Sequence, residues 1–222
     1  MNTITRFKSK QNDVSLVADE TLPEGICIEK RFYDRVKKQK EIKINGRVQS
    51  SGLAAPRVLG KSKDTIRYEY IEGKTLCALL DEAEASDCET QILPAFFRLC
   101  DWLRTFQSAT GMIFFDINLR NFIVSNGELY GFDYEDARSG RIETDFGRLL
   151  AFILTYDPAF SVLKMQLCRR LLRYISEDAG INEATVLSEM KNELETMKTR
   201  RSAEYAMQPD AAVTAIEEGN AI

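Results

Sequence analysis

The chain has 222 residues, 44% of them hydrophobic and 29% charged, which supplies a sizeable core and excludes a disordered or fibrous protein. Its 30 basic and 34 acidic residues give a formal charge of -4, so no cationic field draws in a nucleic-acid backbone and no nucleic-acid partner is expected. A histidine count of 0 excludes Ser-His-Asp and Cys-His catalysis, histidine-bound metals and any imidazole base; proton transfer falls to carboxylates, Lys, Tyr or Cys.

Taken in chain order, Thr3 to Lys8 and Asp13 to Ala18 read as strands around the polar turn Ser9-Lys10-Gln11-Asn12. Pro23-Glu24-Gly25 then opens a third strand, Ile26 to Phe32. Tyr33 to Gln49 is rich in Lys, Arg, Glu and Gln and reads as a helix ending before Ser50-Ser51-Gly52. Strands over Arg57 to Gly60 and Thr65 to Ile71 follow, closed by Glu72-Gly73. Beyond Lys74 the period changes. Leu76, Leu79 and Leu80 mark a short amphipathic segment, and apolar residues recur every three or four positions from Ile92 to Ser108, as in a helix. Phe122-Ile123-Val124 and Leu129 to Phe132 flank Asn126-Gly127, the signature of a tight β-hairpin. Helices are expected over Asp145 to Thr155, Ala159 to Glu177 and Glu183 to about Tyr205, with Asp210 to Glu218 helix-compatible. The fold class expected is α+β: a small antiparallel lobe with one helix (1–73), a mainly helical lobe carrying a hairpin (74–207) and a tail (208–222).

Five cysteines without a paired spacing read as reduced thiols. The polar, basic start MNTITRFKSK lacks the apolar run of a secretory signal, and the longest apolar stretch, Leu149 to Leu154, is far short of the roughly 20 residues that span a bilayer. A cytoplasmic protein without a membrane span is expected.

The segment from Phe114 to Ala137, FFDINLRNFIVSNGELYGFDYEDA, carries the chemistry. Asp116 and Asn121 precede the first hairpin strand and Asp133 follows the second. Pairing around Asn126-Gly127 therefore brings Asn121 and Asp133 to the same open end. One carboxylate and one amide oxygen, completed by phosphate oxygens, are the ligands Mg²⁺ takes in a metal-nucleotide complex. Asp116 is then left to orient a hydroxyl and accept its proton.

D-x-x-x-x-N followed by a hairpin and F-D resembles the Brenner-type catalytic loop of the protein kinase-like superfamily, and F-D-Y-E-D-A is similar to the I-D-x-E-x-A of aminoglycoside and choline phosphotransferases. The resemblance implies a two-lobed kinase-like fold, ATP and Mg²⁺, Asp116 as catalytic Asp, Asn121 and Asp133 as metal ligands and Glu135 as a second acidic metal position. Ile26 to Phe32 is similar to the strand that carries the phosphate-binding Lys, which implies Ile28 against the adenine and Lys30 on the phosphates. Glu41 is the sole acidic residue between Asp34 and Asp64 and is the one available to pair with Lys30. R-Y-E-Y-I-E-G resembles the hinge of small-molecule kinases, implying adenine contacts from the Glu69 carbonyl and the Ile71 N–H. Thr144-Asp145 resembles the helix start whose Asp braces the loop from beneath. The sequence departs from the family pattern twice: Phe114 stands where His is usual, and the turn expected to cover the phosphates, Ser9 to Asp13, has no glycine.

The function expected is transfer of the ATP γ-phosphoryl group to a hydroxyl of a small molecule, since Asp133 to Asp145 is too short for a regulated activation segment. No protein partner is evident. The acidic run Asp81, Glu82, Glu84, Asp87, Glu89 is either a solvated helix face or a surface for a cationic acceptor. The alternatives are a nucleotide-binding pseudokinase acting as a scaffold or regulator, and a minimal atypical protein kinase.

Overall fold

Alternating polar and apolar residues in the first third of the chain give five strands: β1 (Asn2–Phe7), β2 (Asn12–Ala18), β3 (Ile26–Phe32), β4 (Val58–Lys61) and β5 (Thr65–Tyr68). They form one antiparallel sheet ordered β1-β2-β3-β5-β4, with β3 at its centre. This computed structural model describes residues 2–7, 9, 11–177, 180–200 and 209–218; the expected strand residue Lys8 and the expected helical stretch beyond Arg200 lie outside them. Helix α1 (Arg35–Ser50) starts where the Asp34 carboxylate accepts the Val36 and Lys37 amides, satisfying donors that the first turn otherwise leaves open. One stripe of α1 places Ile44 and Val48 in the larger core, while Ile42 packs against Phe32, Ile66 and Tyr68 of the sheet.

The second lobe comprises β6 (Lys74–Thr75), α2 (Leu76–Ser86), α3 (Leu93–Thr110), β7 (Phe122–Ser125), β8 (Glu128–Gly131), α4 (Ile142–Thr155), α5 (Val162–Ser176), α6 (Glu183–Arg200) and α7 (Pro209–Glu218). Helix α4 is apolar nearly all round and lies at the centre, packed by α3, α5 and α6. Helix α7 docks on α5 through Ala215 and Ile216, and the Arg169 guanidinium donates twice to the Ala215 carbonyl at 2.8 and 3.1 Å. Among the described residues no helix is long and apolar enough to cross a membrane.

Three differences from the sequence reading have physical reasons. Strand β5 stops at Tyr68 rather than Ile71, and residues 69–73 pass between the lobes as an extended strap. The strap ends in β6, which pairs with β7 (Lys74 with Val124, Thr75 with Ile123), so the hairpin belongs to a three-stranded sheet; two residues are too few for a periodic signal. Helix α4 begins at Ile142, not Asp145, because the Asp145 carboxylate serves the preceding loop instead of capping its own helix.

Candidate active site

Period-two alternation on β3 puts Ile28, Lys30 and Phe32 on one face, and this face is the inner one: Lys30 is 6% exposed. The Lys30 ammonium lies 2.8 Å from Glu41 Oε2, 2.6 Å from Asp133 Oδ1 and 3.3 Å from Glu135 Oε2, and 4.6 Å from the centre of the Phe32 ring. One cation thus joins α1, β3 and the segment after β8. Burial disfavours the charged amine, but the three carboxylates outweigh it and hold the Lys30 ammonium well above the usual lysine range. Burial pushes the Glu41 carboxyl up to about 7 against the opposing pull of Lys30; its other oxygen accepts from the Tyr68 hydroxyl at 2.7 Å. Oxygens of Glu41, Asp133 and Glu135 lie within 4.8 Å of one another, a separation at which carboxylates need a shared cation or a retained proton, and the Lys30 ammonium supplies the cation.

The loop before β7 is fixed from beneath. Asp145, fully buried, accepts the Phe114 amide at 2.7 Å and the Phe115 amide at 2.8 Å. The Phe114 side chain adds packing to that polar brace: its ring lies 5.1 to 6.0 Å from those of Phe122, Phe106, Trp102 and Tyr134. Phe115 takes φ 69°, a conformation costly for a bulky side chain. Its ring is covered by the guanidinium groups of Arg138 (3.3 Å) and Arg148 (3.9 Å), and its carbonyl accepts from Arg148 Nε at 2.7 Å. These contacts offset the strain and fix the residue next to Asp116.

The hairpin turns at Asn126 (φ 49°) and Gly127 (φ 80°), the pair of left-handed residues that a two-residue turn needs. Its register, Phe122 with Gly131 and Ser125 with Glu128, carries Asn121 and Phe132 to the open end, where the Phe132 N–H donates to the Asn121 carbonyl at 3.1 Å. Gly131 lacks a side chain because Trp102 passes underneath: a Cβ there would meet the indole at 2.4 Å. Asn121 Nδ2 donates to the Asp116 carbonyl (3.2 Å) and to Asp116 Oδ2 (3.1 Å), which orients the amide and leaves its Oδ1 for a cation. Burial, then the nearby Asp133, raises the Asp116 carboxyl above the ordinary aspartate range. Asp133 sits at φ 72° with its side chain about one-third exposed.

The structure therefore gathers Lys30, Glu41, Asp133 and Glu135 in one cluster and pairs Asp116 with Asn121 beside it. Ile28, opposite Tyr68 on β5, is half-buried on the same face as Lys30. Glu69 and Ile71 lie on the interlobe strap; the Glu69 N–H donates to Arg57, the Glu69 carboxylate pairs with the Arg57 guanidinium at 3.0 Å, and among the described residues the Ile71 N–H has no partner. Sequence reasoning missed Asn12, Lys37, Lys40 and Tyr156. Asn12 Nδ2 donates to Glu135 Oε2 (2.7 Å), Lys37 pairs with Asp136 (3.0 Å) and Glu135 (3.5 Å), and Lys40 donates to the Glu135 carbonyl (2.8 Å). Tyr156 accepts the Leu119 amide (3.2 Å) and donates to Asn118 (2.8 Å). These residues lie far from the loop in sequence and carry no motif, although Lys37, one turn before Glu41 on α1, could have been found from helix spacing. Three of the five residues of the acidic run are paired, Glu82 with Lys74, Glu84 with Lys164 and Glu89 with Arg170, whereas Asp81 and Asp87 are exposed and make no ion pair among the described residues.

A five-stranded sheet with one helix, joined by a strap to a helical lobe that carries the loop and hairpin, is the two-lobed α+β architecture of the protein kinase-like fold. A solved structure of that kind, the kinase domain of PknI from Mycobacterium tuberculosis in a cysteine-to-alanine mutant form, superposes with a TM-score of 0.55 at 13% identity, covering 75% of this chain and 82% of that one. No protein-family model matches the chain. No curated protein matches it either.

Proposed function

We propose that this chain is an ATP- and Mg²⁺-dependent phosphotransferase that moves the γ-phosphoryl group to a hydroxyl of a small-molecule acceptor. The observation that supports this reading is the pairing of two constellations at the lobe junction, Lys30 with Glu41 and Asp133, and Asp116 with Asn121. Asp116 Oδ2 is occupied by Asn121, so the other carboxylate oxygen receives the acceptor proton as the new O–P bond forms and the bond to the β-phosphate oxygen breaks. Lys30 neutralises phosphate charge, Glu41 holds it in place, and Ile28, Glu69 and Ile71 receive the adenine. The donor set fits magnesium, with a hard carboxylate from Asp133 and an amide oxygen from Asn121, and with Glu135 adding negative charge behind them; the ion would supply charge compensation between β- and γ-phosphates. A small acceptor is favoured because the connection from Asp133 to α4 is short and pinned by the Ile113–Arg138 bridge.

A second reading, a nucleotide-binding scaffold without turnover, is favoured by the Asn12–Glu135 bond, which ties the glycine-free turn to the metal side of the site. Thermal-shift titration with Mg·ATP tests what the two share. A ligand at 100 times its Kd stabilises by about 2.7 kcal/mol, so a clear rise in Tm is expected. No rise with either Mg·ATP or Mn·ATP would overturn both.

A further inference from the structure

Two exposed arginines are tied to the loop that carries Asp116, Arg120 within it and Arg138 against Phe115. Arg120 lies between Asp116 and Asn121 in the loop, is exposed, and stands 5.7 Å from the centre of the Tyr156 ring. Tyr156 itself is fastened to the loop at Asn118 and Leu119, so the surface beneath the guanidinium is rigid. Arg138, also exposed, lies over Phe115 at 3.3 Å, its Nε donates to the Asp136 carbonyl at 3.4 Å, and its backbone is paired with Ile113. Among the described residues neither Arg120 nor Arg138 makes an ion pair, whereas Arg148, the third guanidinium of the group, is paired with Glu193. Two positioned guanidiniums on and against the loop that holds the proposed base, neither ion-paired among the described residues, offer the forked donors that phosphate and carboxylate match. On the other side, three of the five carboxylates of the acidic run, Glu82, Glu84 and Glu89, are already paired with Lys74, Lys164 and Arg170.

We infer that the acceptor is anionic, a small hydroxyl compound bearing a phosphate or carboxylate group, and that Arg120, assisted by Arg138, binds that group while Asp116 faces the hydroxyl. This inference rests on the phosphotransferase reading for its hydroxyl, but the anion subsite can be measured by itself. The full chain is titrated calorimetrically with matched probes, in the presence and absence of a non-hydrolysable Mg·ATP analogue: glycerol, glycerol 3-phosphate and glycerate, and glucose, glucose 6-phosphate and gluconate. The anionic probes should bind at least about tenfold more tightly than their neutral partners, as one charge-assisted contact provides. Arg120→Gln should remove most of this preference, Arg120→Lys should restore part of it, and both variants should keep the Mg·ATP thermal shift. The phosphate and carboxylate arms identify which anion is preferred. Equal binding of neutral and anionic probes, no binding of any probe, or a preference unchanged in Arg120→Gln would each overturn the inference. Failure of the Mg·ATP shift alone would overturn the phosphotransferase reading and leave the anion subsite standing or falling on its own titration.

Discussion

Replacing Lys30 by Met keeps the length of the apolar stem and deletes the charge that three carboxylates share. In the native protein its ammonium lies 2.6, 2.8 and 3.3 Å from Asp133, Glu41 and Glu135, and Glu41 and Glu135 are 2% and 5% exposed. Removing one partner of a buried ion pair typically costs about 3–5 kcal/mol, because the charges left behind are neither solvated nor compensated. At about 2–4 °C per kcal/mol for a chain of this size, Tm should fall by roughly 10 °C or more at pH 7.5. The cost depends on pH with a definite sign. Glu41 already stands at about 7, raised by burial with Lys30 opposing, and it rises further once Lys30 is gone. A carboxyl whose folded pKa exceeds its free value of 4.5 binds its proton more tightly in the folded state, so the variant regains stability as the pH falls from above 7 toward 4.5. Urea unfolding of both proteins at pH 7.5 and pH 5 measures this. A deficit under about 1 kcal/mol at pH 7.5, or one that does not shrink at pH 5, would show that Lys30 is not the charge that closes the cluster.

Further outcomes follow from the loop and the hairpin. Asp145→Asn retains one acceptor for two buried amides and should cost about 1–3 kcal/mol at pH 7. Since burial lifts the Asp145 carboxyl to about 6, the wild type gains relative to this variant as the pH falls from 7 toward 4, and a gap constant across that range in chemical unfolding would contradict the assignment. Gly131→Ala drives a Cβ to 2.4 Å from the Trp102 indole, and differential scanning calorimetry should show a loss of about 1–3 kcal/mol; a neutral result would mean that the hairpin can lift off α3 freely. Asp133→Asn removes the proposed anionic metal ligand, so a magnesium titration of nucleotide binding should move to higher metal concentration; superimposable curves would leave the metal to other groups.

How much of this was legible in the chain divides along physical lines. Strand β3 was read with its observed limits because alternation, a Pro-Glu-Gly entry and β-branched residues agree there, and the hairpin register followed from Asn126-Gly127 alone. Those are local signals. The Asp145 brace was legible only through the resemblance of Thr144-Asp145 to the kinase-like pattern, since by local signals the residue reads as an N-cap, and the helix itself starts earlier. What was not legible is set by the tertiary arrangement: the Asn12–Glu135 bond spans 123 residues, β6 is a strand only because β7 lies beside it, and the arginines over Phe115 come together from separate segments. The acidic run illustrates the same limit, since its charges reveal nothing of Lys164 and Arg170, which α5 brings to Glu84 and Glu89.

The most direct test of the proposed chemistry is ADP release by Asp116→Asn compared with wild type, with Mg·ATP binding followed in parallel. Asn preserves the volume of the side chain and an oxygen for Asn121, but it cannot take a proton. The variant should retain the nucleotide-induced rise in Tm and lose about 10²- to 10⁴-fold in turnover with an acceptor present. Equal turnover by the two proteins would contradict the assignment of Asp116 as the base.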